Sequence, residues 1–209
     1  MSLKNIPLRF FVAMVCMAAV VPGVALAADY EITPILGYTL GGEFEDSVTG
    51  TTLNVDDNPN YGIILDINTT PDAQIELYYS IQPTQLKADS GLFVGNPQFD
   101  LDIHYIHLGG TYGVGTEKVK PYVVATVGAT YMDPKGAGYD SDTRFSMSLG
   151  GGVKYFLTDH IGLRLEARGF GTYFGDNAAA FCINGTCAIT LQGNLFLQFM
   201  ATAGMIIAF

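Results

Sequence analysis

Apolar side chains occupy every second position along the segment 195–209, which ends the chain. They are Leu195, Leu197, Phe199, Ala201, Ala203, Met205, Ile207 and Phe209, and a smaller, partly polar set lies between them. A period of two is that of a β-strand with one apolar face. Strands of soluble proteins usually run about five or six residues, whereas a strand tilted across a bilayer needs about 9–11. The segment is therefore predicted to be a transmembrane β-strand.

The same period recurs in seven earlier segments, separated by stretches that are rich in turn residues. They lie near 29–41, 60–68, 73–83, 100–113, 119–132, 143–156 and 160–173. Short links alternate with longer polar ones near 42–59, 82–99, 133–142 and 174–191. Short turns at one rim and long loops at the other are typical of outer-membrane barrels. We predict an all-β fold, an eight-stranded antiparallel up-and-down transmembrane β-barrel whose two termini lie at the periplasmic rim.

The fourth segment is less regular than the others. Its predicted outward face holds Leu101, Ile103 and Tyr105, and its inward face holds Asp102 and His104. The alternation then blurs over 106–110, which we interpret as a β-bulge. Aromatic residues near strand ends predict two girdles at the membrane interfaces; they are Tyr61, Tyr79, Tyr112, Tyr122, Tyr131, Tyr155, Tyr173 and Phe209.

The first residues are predicted to be a cleaved secretory signal peptide. A basic start precedes an apolar run over 10–21, and small residues lead to a cleavage site after Ala27. The apolar run is too short to span a membrane as a helix. We therefore divide the chain into a signal peptide, 1–27, and one β-barrel domain, 28–209.

The charge balance excludes one class of partner. The formal net charge is −10, and loss of Lys4 and Arg9 with the signal peptide makes the remaining chain more negative. Nucleic-acid binding needs a basic face that neutralises phosphates. We therefore expect no nucleic-acid partner.

Two cysteines remain after the signal peptide, and they bracket a turn. Cys182 and Cys187 flank Ile-Asn-Gly-Thr, in which Asn-Gly is a tight-turn signal. In an exported protein such a pair is expected to be oxidised. We predict a disulfide between them that closes a small hairpin at a loop tip.

The inward positions of the eight predicted strands carry charged residues. They are Glu31, Asp66, Glu76, Asp102, Arg144, Lys154, Arg164, Glu166 and Arg168. Eight strands leave an interior about wide enough for side chains to fill, and charges buried there need opposite partners. We predict a salt-bridged lumen that does not conduct. The alternative is a narrow pore gated by rearrangement of these pairs.

Candidates for catalysis and metal binding are scattered. A lipid-modifying site would draw on His104, His107 and His160 with Ser80, Ser146 or Ser148. No motif brings a nucleophile, a base and an orienting acid together, so we assign no catalytic residue and no cofactor.

The first long loop is acidic, with Glu43, Glu45, Asp46, Asp56 and Asp57, but it lacks EF-hand spacing. We assign no metal site; loose cation bridging to lipopolysaccharide is a hypothesis for this loop.

The chain resembles the small outer-membrane β-barrel family that is related to the OmpA membrane domain and OmpX. The resemblance rests on the terminal Phe209 with its alternating apolar residues and on the strand-turn-strand segments 66–77 and 156–166. It extends over 28–209 and is one of pattern. It implies a Gram-negative outer membrane, with lipid and lipopolysaccharide around the barrel, and makes Phe209 the signal for the barrel-assembly machinery. Cell-wall anchoring by a further domain is not carried over.

From these observations we expect a monomeric envelope protein whose work is structural and at the surface. Its long loops would meet an external ligand that the sequence does not identify. A small channel for ions or small molecules is the alternative, and a lipid-modifying enzyme is third. Fold resemblance alone does not decide among them.

Overall fold

The structure is a computed structural model that describes residues 30–45, 52–88, 98–116, 118–135, 140–175, 178–183, 186–191 and 195–209. Twelve strands lie in these ranges: β1 (Tyr30–Leu40), β2 (Glu43–Glu45), β3 (Thr52–Val55), β4 (Asn58–Asn68), β5 (Ala73–Ala88), β6 (Gln98–Gly113), β7 (Val119–Lys135), β8 (Asp142–Phe156), β9 (Ile161–Tyr173), β10 (Ala178–Ile183), β11 (Thr186–Leu191) and β12 (Leu195–Ala208). No helix within the same ranges has the length and apolar character that crossing a membrane would require.

Eight of the strands form a closed antiparallel ring. Its order is β1, β4, β5, β6, β7, β8, β9 and β12, and β12 pairs with β1 from Glu31↔Ala208 to Leu40↔Phe199. The β5–β6 pairing completes the ring, so the barrel strands have no free edge along most of their length. The predicted eight-stranded barrel is confirmed, and its strand bounds lie within a few residues of the predicted ones, apart from a longer β5.

The two rims of the barrel differ in the length of their connections. The short-turn rim holds the connections 69–72, 114–118 and 157–160, together with Tyr30 and Phe209. The long-loop rim holds the four longer connections. Two of these contain strands that the periodicity did not predict: β2 and β3 add to the outer end of β5, and β10 and β11 form a separate two-stranded sheet.

Side chains alternate between the lumen and the outer surface of the wall. On β9, Leu163 and Leu165 are about half exposed, whereas Arg164 and Glu166, which alternate with them, are buried. The apolar outer face suits contact with lipid, and the polar inner face must satisfy its own charges. This alternation decides which residues form the lumen.

Strand β6 corrects the prediction made for the fourth segment. Tyr105 donates a hydrogen bond to Gln198 of β12 across the lumen (Oη–Oε1 2.6 Å), so it faces inward. Leu101 and Ile103 share this face and are fully buried. By alternation Asp102 faces outward, as does His104. The register with β5 runs unbroken from Ala73↔Tyr112 to Lys87↔Gln98, so β6 has no bulge there.

Candidate functional site: the barrel lumen

Seven charged side chains from five strands meet in the half of the lumen nearer the short-turn rim. We call them the ion cluster: Glu31 (β1), Asp66 (β4), Glu76 (β5), Lys154 (β8), and Arg164, Glu166 and Arg168 (β9). None of these side chains is more than 6% exposed. The structure therefore brings together seven of the nine residues that the alternation predicted for the lumen.

Arg164 lies at the centre of the ion cluster. Its Nη1 is 2.8 Å from Asp66 Oδ2, and its Nη2 is 2.6 Å from both Glu76 Oε2 and Glu166 Oε2. The Nε donates to the Tyr122 hydroxyl at 2.8 Å, and that hydroxyl donates to Glu166 Oε2 at 2.7 Å. A guanidinium presents its donors in a planar fork, which is why one arginine can join several carboxylates.

Arg168 extends the cluster toward the middle of the barrel. It contacts Glu76 Oε1 at 2.8 Å and Glu166 Oε1 at 2.7 Å, so each of these carboxylates bridges both arginines. The guanidinium carbon also lies 4.4 Å from the centroid of the Tyr78 ring and 5.9 Å from that of Phe170. Arg168 is thus both an ion-pair partner and a cation packed on aromatic rings.

Lys154 closes the cluster at the end nearest the short-turn rim. Its Nζ is 2.6 Å from Glu31 Oε2, 3.1 Å from Asp66 Oδ2 and 2.6 Å from the amide oxygen of Gln74. Gln74 in turn donates to Glu31 at 2.8 Å. Each cation of the cluster contacts at least two carboxylates. This mutual pairing offsets the large desolvation penalty of burying charge.

A different set of side chains fills the half nearer the long-loop rim. We call the packed, mutually tilted rings of Tyr78, Tyr105 and Phe170 the aromatic layer; the Tyr105 and Phe170 centroids are 4.4 Å apart, and those of Tyr78 and Phe170 are 5.5 Å apart. Farther out, Leu101, Ile103 and Met132 are fully buried. The lumen therefore changes along its axis from paired charges to aromatic and aliphatic side chains, among which neutral polar residues such as Gln82 and Gln198 are also buried.

His107 lies in the middle of the barrel beside the aromatic layer. Its Nε2 is 2.8 Å from Ser146 Oγ and its Nδ1 is 2.9 Å from Thr126 Oγ1. A serine and a histidine at this distance have the geometry of a nucleophile and its base. Both are buried, however, with exposures of 1% for His107 and 0% for Ser146. The pair therefore acts as a buried hydrogen-bonded group.

The other two histidines are far from any such arrangement. His104 lies on the outer surface, where its Nδ1 is 3.0 Å from the Tyr79 hydroxyl and its ring lies near Tyr131. His160 is exposed in the short turn between β8 and β9. Ser80 is buried in the lumen wall. No described histidine is therefore paired with a serine at a surface open to substrate.

Two residues predicted for the lumen network lie outside the ion cluster. Asp102 is on the outer surface near the long-loop rim, 3.4 Å from Lys135. Arg144 keeps the inward register of β8 but lies at the long-loop rim, where it pairs with Asp142 at 2.6 Å. Asp102 was misassigned because β6 carries apolar side chains on its lumen face.

Tyr122 is a lumen residue that sequence reasoning misassigned to the interfacial girdle. It is 7% exposed, and its hydroxyl bonds to the ion cluster. A Cβ added at Gly152 would lie 2.6 Å from that hydroxyl, so the glycine makes room for it. The signal was available in the sequence, because the apolar row Val123, Ala125, Val127 and Ala129 defines the outward face of this segment and Tyr122 has the opposite parity.

The remaining predicted features are only partly described. The backbone register places Cys182 directly opposite Cys187 across β10 and β11, but their side chains lie outside the described residues, so the disulfide stays a prediction. In the acidic loop, Asp57 Oδ1 accepts from the Gly41 amide at 2.6 Å. The side chains of Glu43 and Glu45 and all of Asp46 lie outside the described residues. Phe209 is exposed and pairs its backbone with Tyr30.

The closed ring, the alternating faces and the unequal rims together are those of a bacterial outer-membrane barrel. The family model for the outer membrane protein beta-barrel domain matches residues 11–186. The chain belongs to this family. The protein is therefore an integral protein of the Gram-negative outer membrane, as its sequence predicted.

Solved structures of similar proteins have the same fold. Neisserial surface protein A (NspA) matches with a TM-score of 0.55 at 17% identity, over 87% of this chain and 97% of that one. The solid-state NMR structure of outer membrane protein AlkL in DMPC bilayers matches with a TM-score of 0.58 at 13% identity, over 91% and 95%. At these identities the likeness establishes the fold alone. No curated protein matches the sequence.

Proposed function

We propose that this protein is a structural barrel of the outer membrane with a sealed, non-conducting lumen, whose long-loop rim contacts an external partner. The observation that carries the proposal is the ion cluster, which links β1, β4, β5, β8 and β9 across the interior. A continuous wet pore needs a path of water between these strands. Mutual pairing of buried charges removes that path.

The free space in the lumen supports the same proposal. A cavity of about 520 Å³ opens at the short-turn rim and reaches Glu31 and Phe156. A second space, which runs from the turn residues Pro71 and Asp72 to Glu31, Lys154 and Tyr122, has only about 30 Å³. A water molecule needs roughly 10–15 Å³ of such volume, so this space has room for at most about two or three waters. Beyond it lie the arginines of the ion cluster.

The proposal includes no catalytic role and no cofactor. Its partners are outer-membrane lipid and lipopolysaccharide around the wall, and the barrel-assembly machinery, which would recognise Phe209. The barrel acts as a monomer. The burial of His107 and Ser146 supports the non-enzymatic assignment, because a substrate would have no route to them.

Planar-bilayer conductance of the purified protein tests this proposal, with heat-modifiable gel mobility as the check on folding. A correctly folded barrel that gives no current supports the sealed lumen. Steady single-channel steps that change in size with Glu76→Gln would contradict it, because that variant changes a charge in the cluster. A matched control is Asp102→Asn, which changes a charge on the outer surface and would leave pore currents unaltered.

A narrow channel is the second candidate, and one observation favours it. Asp66 Oδ1 and Arg168 Nη1 are buried atoms with no hydrogen-bond partner among the described residues. Each leaves its charged group able to form a different pair. Rearranged pairing would open a path along the lumen, and the conductance measurement distinguishes this candidate from the sealed barrel.

A further inference from the structure

A hydrogen bond crosses the lumen at the level of the aromatic layer. The Tyr105 hydroxyl on β6 donates to Gln198 Oε1 on β12 at 2.6 Å, and both side chains are fully buried. These two strands are opposite each other in the ring, with β5, β4 and β1 between them on one side and β7, β8 and β9 on the other. The bond therefore spans the full width of the lumen and divides its cross-section into two parts.

Amide side chains occupy the part beside β1, β4 and β5. Gln198 Nε2 donates to Gln82 Oε1 of β5 at 3.2 Å and to the Gly41 carbonyl at 3.0 Å. Gln82 Nε2 donates to the Asp56 carbonyl at 3.4 Å. Both carbonyls belong to the connection that joins β1 to β4. We call Gln82, Tyr105 and Gln198 the neutral bridge; its two glutamines are held by backbone groups as well as by each other.

Hydroxyl and aromatic side chains occupy the part beside β7, β8 and β9. The hydroxyls of Thr130 on β7 and Thr172 on β9 hydrogen-bond at 2.8 Å, and both residues are fully buried. The Phe170 ring packs against Tyr105 with centroids 4.4 Å apart. Thr130 is the register partner of Tyr105, so these contacts lie at the level of the neutral bridge. Side chains therefore flank the Tyr105–Gln198 bond on both sides.

The neutral bridge lies at a different height from the centre of the ion cluster. Tyr105 is four residues along β6 from Gly109, which is the register partner of Glu76. Four residues correspond to about 13 Å along a strand. The bridge contains one phenol and two amides, so it does not depend on charge pairing. A path through the lumen would have to pass both levels.

We propose that the lumen contains two barriers in series, the ion cluster and the neutral bridge, and that either one alone keeps it closed to ions. This inference rests on the proposed function of a sealed barrel and extends it. An ion at the bridge would lose water and meet no opposite charge there, which is costly. Rearranged pairing in the ion cluster, which the second candidate function requires, would open only the first barrier.

The test opens each barrier separately and then both together. The cluster variant, Arg164→Ala with Glu166→Ala, removes one charge of each sign from the centre of the ion cluster. Asp66 keeps its contact with Lys154 in this variant, and Glu76 keeps Arg168. Removing both members of a pair avoids the uncompensated charge that removal of one would leave.

The bridge variant is Tyr105→Ala with Gln198→Ala, and the combined variant carries the substitutions of both. Gln82→Ala with Gln198→Ala replaces the bridge variant if that variant does not fold. The matched control adds Tyr112→Ala to the cluster variant, because Tyr112 is on the same strand as Tyr105 but is 56% exposed on the outer surface. Planar-bilayer conductance is measured for each protein, and heat-modifiable mobility confirms that it is folded.

We expect single-channel steps from the combined variant alone, and no current from the unaltered protein, the cluster variant, the bridge variant or the control. Current from the unaltered protein would contradict the sealed barrel itself. Current from the cluster variant, with a silent unaltered protein, would leave the sealed barrel intact but show that the bridge is no barrier. Current from the bridge variant alone would show that the ion cluster is no barrier. Silence of a folded combined variant would also overturn the inference, because other side chains would then close the lumen.

Discussion

The two halves of the lumen are walled by the same eight strands but filled by different chemistry. Near the short-turn rim, seven charged side chains pair with one another, and none is more than 6% exposed. Near the long-loop rim, the aromatic layer and three fully buried aliphatic side chains fill the same width. One filling satisfies buried charge by mutual pairing, and the other is held by the packing of uncharged side chains.

The difference determines how each half responds to damage. A buried ion is stable only while its partners remain, so loss of one member leaves uncompensated charge on the others. An apolar layer loses contact area and gains a cavity, and its neighbours can relax into the space. We therefore expect the ion cluster to be the more sensitive half to a single change, and the aromatic layer to be the more tolerant.

Arg164→Ala should have the largest effect. It removes the group that joins Asp66, Glu76 and Glu166, and breaking a buried pair costs about 3–5 kcal/mol. We expect the free energy of unfolding to fall by an amount near the upper end of this range, because three carboxylates lose the same partner. The measurement is urea unfolding of the detergent-refolded barrel, followed by heat-modifiable mobility.

Arg144→Ala is the matched control, because that arginine lies at the long-loop rim outside the cluster. We expect Arg144→Ala to lower the free energy of unfolding by clearly less than Arg164→Ala does. Equal midpoints for Arg164→Ala and the unaltered protein would show that the ion cluster does not stabilise the barrel.

Phe170→Ala should come next. It removes the ring that lies between Tyr78 and Tyr105 and against His107. Truncation of a core phenylalanine costs about 3–5 kcal/mol, and we expect the lower end because three neighbouring rings can move toward the cavity. The same unfolding series measures it.

Repeating the Phe170→Ala measurement at several salt concentrations sharpens the comparison of the aromatic layer with the ion cluster. The effect of Phe170→Ala should not change with ionic strength, because no charge is altered. If Phe170→Ala lowered the free energy of unfolding by more than Arg164→Ala does, the order proposed for the two halves would be wrong.

The sequence predicted the ionic half better than the apolar half for a physical reason. On β9, apolar residues face lipid and charged residues face the lumen, so alternation identifies both faces. On β6, the lumen face near the long-loop rim is apolar and the outer face carries Asp102 and His104 near the interface. The rule that polar means inward therefore fails at this end. The unbroken register with β5 is a long-range fact that the pattern of β6 alone does not contain.

The short strands β2 and β3 within the first long connection also escaped prediction. β2 and β3 have three and four residues, too few for a period to be recognised, and they depend on the outer end of β5 for pairing. The Asn-Gly turn between Cys182 and Cys187 was recognisable because its backbone preference is local.

Asp102→Asn should have the smallest effect, and it tests the corrected face of β6. At the outer surface its only ion pair among the described residues joins a Lys135 side chain that is 49% exposed. Surface substitutions of this kind change stability by about 0.5 kcal/mol or less. Asp66→Asn provides the comparison, because Asp66 is buried between Lys154 and Arg164 and should lose several times more. If the two variants unfolded at the same reduced urea concentration, Asp102 would belong to the lumen and the assignment of β6 would have to be reversed.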